Sequence, residues 1–174
     1  MKSLKQSVER YHETLQNTTK YREAWNSHLK IFVKKTLEQI TRETGLKASV
    51  EVKSELENLE GILLSMGQED SQIYERLENG MKRSFVKDMG ALLFQQLFNG
   101  KIIVMVHYPL IDSYGEPNPP KTLGIFRPEE LTEAALIRNM EEFIDELTEW
   151  EDLDDAETSN RIGFTWNMNP PEQA

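Results

Sequence analysis

Asn99-Gly100 stands between two apolar runs, ALLFQQLF and KIIVMVHYP, and no other stretch restricts the fold as much. Asn-Gly is the favoured pair for a two-residue type I′ hairpin turn. Such a turn fixes the register, setting Phe98 opposite Lys101, Leu97 opposite Ile102, Phe94 opposite Met105 and Leu92 opposite His107. His107 would then share a sheet face with Phe94, Gln96 and Met105. Both faces of the hairpin are largely apolar, so it should lie centrally in its sheet, with helices or a second layer over it.

The flanking sequence changes period twice. Leu4, Val8, Tyr11 and Leu15 recur at helical spacing, and so do Trp25, Leu29, Phe32 and Leu37, with Ile40 beyond. Asn17-Thr18-Thr19 interrupts the pattern, which predicts a helical pair or one kinked helix over 3–44. Gly45 suits a left-handed C-cap. From 48 the period is two: Val50 and Val52 alternate with charges, and Ile62, Leu64 and Met66 share a face. Residues 68–83 fit either a short helix capped by Gly80 or a twisted strand entering an Asn-Gly turn. After the hairpin comes a loop of about twelve residues with Pro117, Pro119 and Pro120, then a returning strand, TLGIF. Pro128, Glu129 and Glu130 suit the start of a helix, and Leu136, Met140, Phe143, Leu147 and Trp150 carry it over 128–150. Ile162, Phe164 and Trp166 alternate as a last strand at 161–167, followed by a tail at 168–174.

The order of elements predicts one α+β domain over 1–174. The N-terminal helices and a C-terminal helix should pack on an antiparallel sheet of five or six strands spanning 48–126. A chain of 174 residues can bury about 70% of its unfolded surface and needs no disulfide or metal to fold. It has no cysteine, which excludes thiolate metal sites and cysteine nucleophiles. No stretch has signal-peptide character or the ~20 apolar residues of a membrane span, so the expectation is a soluble, cytoplasmic protein without membrane contact.

Charge narrows the partners. Ten of the thirty acids lie in Glu141–Glu157, which holds no Lys or Arg, leaving twenty acids against twenty bases elsewhere. A neutral body with one acidic segment has no basic excess for phosphate contacts, so nucleic acid is not expected. Glu141, Glu142, Asp145, Glu146 and Glu149 decorate the outer face of a helix. They suit a basic protein partner or serve only as a solvated face. The run DLDDAE lacks the glycine and ligand spacing of a calcium loop. Glu9 and His12 form a single i, i+3 pair without a second copy, and Lys82, Arg83 and Lys87 are too few to hold nucleic acid. With no Gly-rich phosphate loop either, no metal or cofactor is expected.

Two site hypotheses follow. In the first, the protein is a non-catalytic binding or interaction protein. It contacts its partner through the loop 112–120, with Tyr114 at its tip and Glu116, through the acidic segment 141–157, or through both; one variant is an acidic inhibitor or immunity-type protein. Gln95 and Gln96 sit mid-strand and point to opposite faces, and a buried amide must find partners, so Gln96 is a candidate anchor in a small-ligand cavity. In the second, the chain is a small hydrolase-like enzyme. His107 would be the base, Asp112 its orienter, and Tyr108 or Gln96 a substrate contact. No nucleophile elbow accompanies them. A homodimer fits either hypothesis, since Trp25, Trp150 and Trp166 suit a core or an interface equally.

Overall fold

The computed structural model describes residues 1–56 and 59–153. The last strand read at 161–167 and the tail lie outside the described residues.

The helical pattern at the start is one continuous helix. It comprises α1 (Lys2–Ala24), a π-helical turn (Trp25–Leu29) and α2 (Lys30–Thr44). Asn17-Thr18-Thr19 does not interrupt it. The irregularity falls at Trp25–Leu29, where the Lys30 N–H donates to the Trp25 carbonyl, one residue wider than an α-turn. The extra residue lets the buried series run Trp25, Leu29, Val33, Leu37, and Val33 rather than Phe32 takes the inward place. Gly45, at φ 72°, ends α2 in the left-handed conformation that the sequence predicts.

Five strands form the main sheet in the order β1 (Ser49–Leu56), β2 (Leu59–Ser65), β5 (Ala91–Gln96), β6 (Ile102–His107) and β8 (Lys121–Phe126), all antiparallel. The 91–107 hairpin is central, as its two apolar faces require. A second sheet joins β3 (Gln68–Arg76), β4 (Lys82–Asp88) and the two-residue β7 (Leu110–Ile111). The ambiguous 68–83 stretch therefore resolves as strands. α3 (Glu133–Glu151) begins five residues later than Pro128 predicts. Pro128–Glu130 form a 3₁₀ turn, and Thr132 is the true N-cap, its hydroxyl accepting from the Ala135 N–H at 3.3 Å.

The hairpin register differs from the two-residue expectation by one residue. Phe94 pairs with Val104, Leu92 with Val106 and Ala91 with His107. The loop has three residues, Phe98–Gly100, closed by Leu97 N–H to the Lys101 carbonyl at 2.7 Å and Gly100 N–H to the Leu97 carbonyl at 2.9 Å. A type I′ turn needs positive φ at both central residues. Here only Gly100 has it (φ 77°), while the Asn99 side chain accepts from the Lys101 N–H. The slip moves His107 to the face opposite Phe94 and Gln96, where it keeps Met105 as a neighbour.

The core lies on one face of the main sheet. Ile62, Leu64, Leu92, Phe94, Ile102, Val104 and Val106 pack there against Trp25, Leu29, Val33 and Leu37 of the long helix and Leu136, Met140 and Phe143 of α3. One polar cluster pins the helix to β2. Glu60 accepts from Trp25 Nε1 at 3.1 Å and from Lys30 Nζ at 2.8 Å. The Lys30 hydrogen bond, outweighing partial burial, lowers the Glu60 pKa below its ordinary 4.5. A depressed carboxyl pKa stabilises the fold above the unfolded value and loses that contribution as pH falls through the folded value. Glu60→Gln is accordingly expected to cost about 1–2 kcal/mol at neutral pH. The gap to the parent protein should close progressively below pH 4.5. Urea unfolding across that range checks it, and a gap independent of pH would refute the assignment.

Candidate functional site

Among the described residues, no helix covers the other face of the main sheet. Alternation puts Leu63, Leu93, Gln95, Ile103, Met105 and His107 there. The second sheet pairs with the start of the proline-bearing loop through β4 and β7, and the Asp112 N–H donates to the Val86 carbonyl at 3.0 Å. The loop is thereby held beside the open face. Between them lies a groove of about 570 Å³. Leu59, Leu63, Leu93, Leu110 and Pro117 supply its apolar lining, and Lys53, Asp88, Gln95, His107, Tyr108 and Asn118 its polar groups.

Several local features shape this groove. Gly61 pairs with Gln95, and a Cβ at Gly61 would lie 2.7 Å from Gln95 Oε1. The missing side chain lets the Gln95 amide lie across β2, donating to the Glu60 carbonyl at 3.3 Å and to the Gln96 carbonyl at 3.0 Å. Asp88 accepts from the Gly90 N–H at 2.8 Å, which fixes the turn into β5. His107 Nε2 is buried and has no hydrogen-bond partner among the described residues. A buried polar atom in that state carries a desolvation cost.

The residues singled out in the sequence are distributed over three places. His107 and Tyr108 line the groove; Asp112 does not. Tyr108 is also tied away from it, since its hydroxyl donates to Glu146 Oε2 at 2.5 Å. Tyr114 and Glu116 line a separate small recess with Trp150 at the end of α3. Gln96 points into the core, 3% exposed, with its Oε1 3.5 Å from the Glu60 N–H. Of the acidic helix, Glu142 and Glu146 pair with Lys121 of β8 at 3.1 and 2.5 Å. The Glu146 hydrogen bond, opposed by partial burial, raises the Lys121 pKa above its ordinary value. Those two acids clamp α3 to the sheet, while Glu141, Asp145 and Glu149 remain on its exposed side. Glu151 belongs to a similar clamp. It pairs with Lys87, whose ammonium also sits 5.3 Å from the centre of the Trp150 ring.

Sequence reasoning missed Lys53, Asp88, Leu63 and Leu93, and of the two mid-strand amides it chose Gln96 where Gln95 lines the groove. The available signal was the apolar outward series of β2 and β5, Leu63 and Leu93, which an ordinary solvated sheet face would not carry. Among the described residues, no three His, Asp or Glu side chains are grouped to hold a metal ion. No described helix is long and apolar enough to cross a membrane. The chain matches no family model, no curated protein and no solved structure.

Proposed function

We propose that the protein is a soluble, cytoplasmic, non-catalytic binding protein that takes its ligand in the groove between the open sheet face and the loop 110–118. The observation that carries this is a groove within the size range of small-ligand sites, lined by Leu59, Leu63, Leu93, Leu110 and Pro117 beside a few polar side chains, among them His107 with its orphaned imidazole nitrogen. That combination suits a small amphipathic molecule with an apolar body and one hydrogen-bonding group. The hydrolase reading gains less support. Its orienting acid, Asp112, stands outside the groove, and among the described residues no serine or threonine lines it. Glu142 and Glu146 already hold Lys121, so the basic-partner reading rests on other exposed acids of the helix, Glu141 and Asp145 among them.

Anilinonaphthalene sulfonate, an apolar fluorophore with one anionic group, is a direct probe. The folded protein is expected to bind it saturably, one molecule per chain. Leu93→Glu should weaken that binding by roughly tenfold or more, the effect of placing a charge on the apolar floor. Leu93 is only half-buried, so the variant should unfold at nearly the parent temperature. Absence of saturable binding, or equal binding by the variant, would overturn the reading.

A further inference from the structure

We infer that α1 pairs antiparallel with α1 of a second copy of this chain, through the stripe Leu4, Val8, Tyr11 and Leu15. The inference stands apart from the groove.

Residues 1–16 are all exposed. They extend the long helix roughly 24 Å beyond the body at the usual rise per residue. Helical segments of this length are marginal alone in water, yet this one keeps an apolar seam. Leu4, Val8, Tyr11 and Leu15 are 65%, 45%, 60% and 50% exposed. Their spacings of four, three and four are those of coiled-coil a and d positions. Further along the helix, Trp25 and Leu29 bury the same series in the core. The seam therefore faces the side on which the body lies, and overhangs it.

Three features select a second copy and set its direction. The spacing is palindromic, so an antiparallel pair aligns Leu4 with Leu15 of the other copy and Val8 with Tyr11. Each layer then joins an a to a d position. Side-chain volumes match in that arrangement, a small Val against a large Tyr, whereas a parallel pair would stack Tyr11 on Tyr11. A parallel pair would also bring two bodies to the same place on the seam. The hairpin tip marks where the body begins. Arg22 donates to the Phe98 carbonyl, and Gly100 lies against Thr18–Arg22. Phe98 is 75% exposed there, at the level that Met1 of an antiparallel partner reaches. Four layers of side chains fall well short of a standard interface of about 1,600 Å², which makes the contact weak and concentration-dependent.

The full chain is therefore expected to pass from monomer to dimer in sedimentation equilibrium between roughly 1 μM and 1 mM, the range such a small contact supports. Val8→Glu with Tyr11→Glu should weaken the dimer at least about tenfold while leaving thermal unfolding of the body unchanged. The chain lacks cysteine, so single cysteines report the direction. Leu4→Cys mixed with Leu15→Cys should form the mixed disulfide, and Leu4→Cys alone should not cross-link. A monomer throughout the range, a dimer indifferent to the double substitution, or self-linking of Leu4→Cys would each overturn the inference.

Discussion

Trp25→Ala is expected to remove about 3–5 kcal/mol of folding free energy. For a chain of this size that corresponds to a thermal midpoint lowered by roughly 6–20 °C. Trp25 is fully buried, the largest side chain in the core. It opens the π-helical turn, and its indole N–H donates to Glu60. Alanine would leave a cavity between the long helix and β2 and withdraw one of the donors to a carboxylate held at 22% exposure. Trp25→Phe separates the two losses. It keeps most of the volume and forfeits the N–H, so about 1–2 kcal/mol is expected. Equal losses for both variants would show that the hydrogen bond, rather than the packing, dominates at this position.

The second large effect is expected at Gly100. Two five-residue stretches, Leu77–Met81 and Leu97–Lys101, close in the same way. In each, the leucine N–H donates to the carbonyl four residues on, the glycine N–H donates back to the leucine carbonyl, and the asparagine side chain accepts from the last N–H. Both glycines have positive φ, 82° and 77°. Their surroundings differ. A Cβ at Gly80 meets nothing within 4 Å, whereas one at Gly100 would lie 2.7 Å from Tyr21 Cβ and 3.0 Å from the Arg22 nitrogen and the Thr18 carbonyl oxygen. Gly80→Ala should cost only the left-handed backbone penalty, about 1–2 kcal/mol. Gly100→Ala adds a collision with helix backbone that cannot rotate away, for about 2–4 kcal/mol in all. Urea unfolding of both variants isolates the contact as their difference, and no difference would mean that the tip lifts from α1 freely.

The same residues show why the fold was more legible than the site. Period and punctuation located the strands of the main sheet and the C-cap at Gly45 because local chemistry decides those features. The register of the 91–107 hairpin was decided by a choice between two loops that both use Asn-Gly. The discriminating fact, negative φ at Asn99, is conformational. A one-residue error there is small in the chain but reverses a face, and it placed His107 with Gln96 instead of Gln95. Pro128 similarly allows either a helix start or a 3₁₀ turn, and Thr132, a stronger cap, won four residues later. The groove was hidden for another reason. Its lining comes from β1, β2, β4, β5, β6, β7 and the loop, brought together only by pairing at long range. The acids of α3 read as one charged face, yet Lys121, which divides them into clamping and exposed sets, lies on another element.

The second sheet adds a different kind of information. Met66 and Met89, at the feet of β3 and β4, are joined to Gly90 and Gly67 by backbone hydrogen bonds of 3.0 and 2.9 Å. The excursion 68–88 thus leaves and rejoins the main sheet at one point. Without it, the main sheet is a plain meander in which each strand pairs with its successor, a topology of mostly local closures. The excursion reaches the loop 110–120 through β7 but supplies no residue of the core. Labour is divided accordingly: the meander secures folding, and the inserted hairpin positions one bank of the groove. Changes in the hairpin's length or sequence can reshape what the groove admits while the folding unit beneath stays as it is.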